Sequence, residues 1–139
     1  MAQVQVAKSV ALAADPESVW TFISDFGAFA EWQPHIESVE MQDGGRREVR
    51  FKRGDSILDE VVSRDDAART YTYRIVPGQN TRLKEMDATF TVRAGGAGCE
   101  VDYAITVVVP DEMEPLAQAG ITADIDGALG QLDVKYNQR

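Results

Sequence analysis

The chain has 139 residues, 44% hydrophobic and 27% charged, enough for one domain with a real core. Its net charge of −9 argues against a nucleic-acid phosphate backbone or an anionic membrane surface as partner, because both need clustered Lys and Arg. A single cysteine, Cys99, excludes an intrachain disulfide and a cysteine-built zinc site.

Residues 3–13 alternate, with Val4, Val6, Val10 and Leu12 on one side, and predict a strand. The stretch "MAQVQVAKSVALAADPE" has no charged segment ahead of an apolar block, so no signal peptide is expected. No run of about 18 apolar residues occurs. With the lone cysteine, these features point to a cytoplasmic protein without membrane insertion.

"ADPESVWTFISDF" predicts a helix, with Asp15 as N-cap, Pro16 in first position and Glu17 in the first turn. Val19, Phe22, Ile23 and Phe26 form its apolar face, and Gly27 ends it. "AFAEW" allows one more short turn before Pro34.

From Ile36 the period changes to two. "IESVEMQ", "REVRFKR", "SILDEVVSR", "RTYTYRIV", "RLKEMDATFTVR" and "CEVDYAITVVV" read as strands separated by "DGG", "GD", "DDAA", "PGQNT" and "AGGAG". Such short connections require an antiparallel meander, since parallel pairs need long crossovers. Residues 112–137 place Ile121, Ile125, Ala128, Leu129, Leu132 and Tyr136 on one helical stripe. The expected class is α+β: a seven-stranded antiparallel sheet around a long C-terminal helix, with two short helices after the first strand. In a meander the turns alternate between ends, so "KRGDS", "VPGQNT" and "VPDEME" should rim a cavity mouth near Gly54, Gly78 and Asp111.

"DPESVWTFISDFGAFAEWQPHIESVE" resembles the opening of START-like (SRPBCC, birch-pollen-allergen-like) proteins, especially the polyketide cyclase/dehydrase branch. The shared features are Val-Trp in the first helix, Asp-Phe, a tryptophan and proline before the second strand, and a proline-terminated strand ahead of the long helix. The resemblance covers nearly the whole chain and implies the helix-grip fold as a single domain over 1–139. It is a poor guide to function, because relatives bind lipids, cyclise polyketides, sense hormones or assist chaperones. "TRLKEMDATFTVR" also resembles the latch-bearing strand of abscisic-acid receptors at Arg82 and Leu83. "KRGDSILDE", however, lacks their Ser-Gly-Leu-Pro-Ala gate, which argues against hormone sensing by that mechanism.

Strand parity and the family register together nominate a pocket. Tyr71 and Tyr73, then Met86, Ala88 and Phe90, then Tyr103 face inward, and Ile121, Ile125 and Leu129 close the wall from the helix. The competing reading is a plain packed core. Trp32 and Gln33 join the pocket from the loop before the second strand.

Asp59 lies on a strand whose alternation is ambiguous; the family register turns it inward, where desolvation makes it a candidate acid or base. The only histidine, His35, either shuttles a proton or merely holds the corner. With Tyr71, these two are the candidate catalytic residues. Arg53-Gly54-Asp55 reads as hairpin chemistry, and no metal-ligand spacing or cofactor motif is present. Gly120, Gly127 and Gly130 form a small-residue face explained equally by a second subunit or by tolerated weakness, so monomer and homodimer both stay open.

The function expected is binding of a hydrophobic, aromatic or polyketide-like small molecule, with its cyclisation or dehydration as the enzymatic version. A non-catalytic carrier or sensor of a lipid, quinone or other hydrophobic metabolite, and a cochaperone-like interaction module, are the alternatives.

Overall fold

A computed structural model of the chain describes residues 1–79 and 85–137. Strand β1 (Ala2–Leu12) leads into helix α1 (Pro16–Ile23) and a 3₁₀ segment (Phe26–Glu31). Six strands follow: β2 (Ile36–Met41), β3 (Arg46–Phe51), β4 (Ser56–Asp65), β5 (Thr70–Ile75), β6 (Glu85–Gly95) and β7 (Gly98–Val109). Helix α2 (Glu114–Tyr136) closes the chain. The sheet order is β1-β7-β6-β5-β4-β3-β2, every pair antiparallel. The antiparallel meander is as expected from the strand spacing, and with α2 it makes the helix-grip arrangement that the family resemblance implied. The abscisic-acid-latch resemblance at Arg82 and Leu83 lies outside the described residues.

Local chemistry sets the helix boundaries. Asp15 caps α1 by accepting from the Ser18 amide at 3.1 Å, and Pro16 occupies its first turn. The helix ends at Ile23, earlier than Gly27 suggested, and the backbone resumes as 3₁₀ turns from Phe26. Trp20, outside the expected apolar face, is also buried, and its indole N–H donates to Asp66 at 3.0 Å.

Register shifts in β2, between Ile36 and Ser38, and in β4, between Val61 and Ser63, bend the sheet. The β4 irregularity also explains the ambiguous alternation there. Ile57 and Asp59 face inward, while Val61, Val62 and Ser63 are all exposed.

The core is uneven along α2. Ile125, Ala128, Leu129 and Leu132 are buried, chiefly against β1, but no residue from Glu114 to Asp124 is. The C-terminal half of the helix therefore anchors it, and the N-terminal half spans a gap above the curved sheet. Gly127 faces Pro34, Gly120 lines that gap, and Gly130 is exposed with open space around it, so the three glycines have different surroundings.

Candidate functional site

The gap is a cavity of about 690 Å³, within the ordinary range for small-molecule sites. The inner faces of β3–β7 supply Val49, Phe51, Ile57, Asp59, Tyr73, Met86, Tyr103, Ile105, Val107 and Val109. Phe29, His35 and Ile36 close one side, and Met113, Leu116, Ala117, Gly120, Ile121 and Asp124 the top. Arg53, Asp55 and Ser56 from the β3–β4 hairpin and Met113 and Leu116 after β7 also line it, whereas Gly54, Gly78 and Asp111, expected at its mouth, are not among the lining residues. The "PGQ" part of the β5–β6 turn contributes no lining residue; Gln79 instead bonds back to Leu58 and Val76.

Of the expected pocket residues, His35, Asp59, Tyr73, Met86, Tyr103 and Ile121 line this cavity. Trp32, Gln33, Tyr71, Ala88, Phe90, Ile125 and Leu129 do not; all are buried in packed core beyond its wall. Trp32 packs edge-on against Phe90 and Phe29, at centroid distances of 4.9 and 5.8 Å. Tyr71 donates its hydroxyl to the Ile23 carbonyl at 3.0 Å, and burial pushes its ionisation far above the ordinary tyrosine value. Strand parity told inside from outside correctly. It could not tell the part of the inside filled by aromatics of the 3₁₀ segment and the loop after it from the part left open.

His35 lies where the loop after Pro34 enters β2. Its carbonyl accepts from the Lys52 amide at 3.0 Å, which fixes the corner, while its imidazole stacks on Phe51 with an interplanar angle of 15°. The residue therefore turns the chain with its backbone and lines the cavity with its ring. Burial, reinforced by the nearby Arg53 and Lys52 charges, pushes the imidazole down to about 4. It is a neutral donor–acceptor at pH 7. Its Nδ1 is buried without a partner among the described residues, and its Nε2 faces Asp124 Oδ2 at 3.8 Å, longer than a hydrogen bond.

Asp124, on α2, was not singled out from the sequence. Burial pushes its carboxyl up to about 6, opposed by Arg53. A signal was present: Asp124 follows Ile121 by three residues, on the same side of the helix.

Asp59 is 1% exposed and held by both oxygens, accepting from Arg47 Nε at 2.6 Å and Nη2 at 3.1 Å. Arg47 is itself fully buried, donates Nη1 to the Phe26 carbonyl at 2.8 Å, and lies over the Phe26 and Phe29 rings. The guanidinium thus ties the 3₁₀ segment to β3 and supplies Asp59's countercharge. Burial pushes the Asp59 carboxyl up and the guanidinium draws it down; burial prevails. Arg47 too escaped the sequence reading, although its alternation with Val49 and Phe51 places it inward.

At the buried end Tyr73 and Tyr103 share a hydroxyl–hydroxyl hydrogen bond of 2.9 Å, and Gln33 Nε2 reaches Tyr103 at 3.5 Å. Both tyrosines are shifted well upward by burial and stay protonated. Among the described residues no group of His, Cys, Asp and Glu could hold a metal ion, and no helix is long and apolar enough to cross a membrane.

Three comparisons bear on this geometry. No curated protein matches the sequence. Similar solved structures include the protein XoxI from Bacillus cereus (22% identity, 99% of this chain and 97% of that one, TM-score 0.84). The Zhui aromatase/cyclase from Streptomyces sp. R1128 matches at 18% identity over 99% of this chain and 96% of its own, with a TM-score of 0.82. Norcoclaurine synthase from Thalictrum flavum, solved as a point mutant with a transition-state analogue, matches at 20% identity over 96% of both chains, with a TM-score of 0.70. At these identities the likeness establishes the START-like fold. The model of a family described as "Polyketide cyclase / dehydrase and lipid transport" matches residues 3–136, and the chain therefore belongs to that family.

Proposed function

We propose that the protein binds a hydrophobic, aromatic or polyketide-like molecule in this cavity and catalyses its cyclisation or dehydration, with Asp124 and His35 moving the proton. The observation that supports this most is the pairing of these two groups on the wall of an otherwise apolar cavity. At pH 7 Asp124 is a carboxylate with an affinity for protons near the working pH, which is what a general base needs. His35, held neutral, is suited to hydrogen-bond a ligand oxygen or pass the proton on. The enclosing wall folds a reactive chain and excludes water. Asp59 serves in this reading as the fixed polar wall beside Arg47, and Tyr71 as support for α1 through Ile23.

A second reading, a non-catalytic carrier, draws support from the bonds that the cavity's other polar groups already make within the protein. Arg47 holds Asp59, Tyr73 holds Tyr103, and Arg53 holds Asp55 at 2.6 Å. Native mass spectrometry of freshly purified protein, followed by incubation with the molecule it carries, separates the readings. A co-purifying small molecule converted by the wild type and not by Asp124→Asn supports the enzyme. A molecule retained unchanged by both supports the carrier, and the absence of any small-molecule binding contradicts both.

A further inference from the structure

We infer that the cavity takes its ligand with an uncharged carbonyl group innermost, hydrogen-bonded to the Tyr73–Tyr103 hydroxyl pair. This rests on the reading of the cavity as a small-molecule site and specifies what the site selects.

The argument is a count of protons. Gln33, Tyr103 and Tyr73 together carry four side-chain N–H and O–H protons and are joined by two hydrogen bonds. With Gln33 Nε2 donating to Tyr103, one hydroxyl proton of the tyrosine pair has no acceptor among the described residues, whichever way the hydroxyls point. Near it Trp32 Nε1, another donor, and the acceptor Gln33 Oε1 are buried and unpartnered among the described residues. The unpartnered group that the tyrosine pair offers is therefore a donor, and buried donors need acceptors. Within the network only the two tyrosines line the cavity, so they are the members that a ligand reaches.

Charge decides what kind of acceptor fits. Arg47, whose guanidinium carbon stands 4.9 Å from the Tyr73 ring centroid, does not line the cavity, and its guanidinium is committed to both oxygens of Asp59 and to the Phe26 carbonyl. A carboxylate pushed inward would be desolvated beside the Asp59 carboxylate, and among the described residues Arg47 and Arg53 are already engaged by Asp59 and Asp55. A neutral carbonyl oxygen accepts from the free tyrosine hydroxyl without that cost. The belt of Val49, Ile57, Met86, Ile105 and Val107 takes the apolar body.

The test uses 2-acetylnaphthalene and 2-ethylnaphthalene, which match in shape and differ in the carbonyl. Binding to the wild type is measured by titration, and to the double variant Tyr73→Phe/Tyr103→Phe, which keeps ring volume. The ketone should bind the wild type about fivefold or more tighter than the hydrocarbon, the scale of one net hydrogen bond, and the preference should vanish in the variant. A second readout needs only the wild type. The ¹³C-labelled carbonyl stretch of the bound ketone should lie below its frequency in hexane. Equal affinities for ketone and hydrocarbon, or a carbonyl stretch at the hexane value, would overturn the carbonyl inference while leaving the pocket intact. Failure of both probes to bind would overturn the pocket reading, and the inference with it.

Discussion

His35 Nε2 stands 3.8 Å from Asp124 Oδ2, bringing the chain's only histidine, at the start of β2, against a carboxylate on α2. Burial holds the imidazole down at about 4 and the carboxyl up at about 6, so folding reverses the order in which they bind protons. In an unfolded chain at pH 5 the proton resides on His35; in the folded protein it resides on Asp124. For His35, whose folded value is depressed, stabilisation is present above pH 6.5 and is lost as pH falls through about 4. For Asp124, whose folded value is raised, stabilisation is present below pH 3.8 and is lost as pH rises through about 6. The two slopes oppose each other between pH 4 and 6. Urea denaturation of His35→Gln should therefore show stability falling across that window relative to wild type. Asp124→Asn should show it rising. Identical pH profiles for all three proteins would show that neither group is shifted by burial.

The Arg47–Asp59 pair should behave as buried ion pairs do. Arg47→Met leaves an uncompensated buried carboxylate and should cost about 3–5 kcal/mol in denaturant unfolding. The double replacement Arg47→Met/Asp59→Leu should cost less than the sum of the two single replacements, because it leaves no unpaired charge behind. Strict additivity would mean that the two residues are not energetically coupled.

Filling the cavity should separate wall from core. Ile121 lines the cavity and is only partly buried, so Ile121→Trp should abolish ligand binding while unfolding remains cooperative. Ala88, expected from strand parity to border the pocket, has no exposed surface and does not line it. Ala88→Trp should instead overpack the core and cost stability, by about 1–3 kcal/mol or more. Thermal denaturation paired with probe titration distinguishes the two; equal effects of both on stability would contradict the boundary drawn here.

Replacing the imidazole should separate anchor from proton carrier. His35→Ala should weaken ligand binding or slow turnover by about 1 kcal/mol, the scale of a hydrogen bond in a dry site. His35→Gln should recover binding without proton transfer. Loss of thermal stability in His35→Ala with unchanged binding would mean that the residue only holds the corner between Pro34 and β2.

Much of this is legible in the sequence. Period-two alternation and turn-sized gaps specified the meander, and Asp15–Pro16 marked the start of α1. The site was harder to read, because alternation reports a side chain's face and not whether another element fills the space above it. Trp32 and Phe29 from the loop region and Ile125 and Leu129 from α2 fill one part of the curved sheet. The unburied half of α2 leaves the other part open. Asp124 and Arg47 went unnoticed for a related reason: charged residues on an inward face look like errors of register until a buried partner, Asp59, or an apolar enclosure explains them. The bulge in β4 hid Asp59's orientation because it breaks the alternation two residues further on.

The central claim is that one part of the sheet's concave face is an open ligand site and the adjacent part is solid core. Methyl-resolved NMR during titration with 2-acetylnaphthalene tests it most directly. The Met86, Ile105 and Ile121 methyls should shift saturably, while those of Val19, Ile125 and Leu132, buried beyond the wall, should move little. Shifts spread evenly over both sets, or absent from the first, would contradict it.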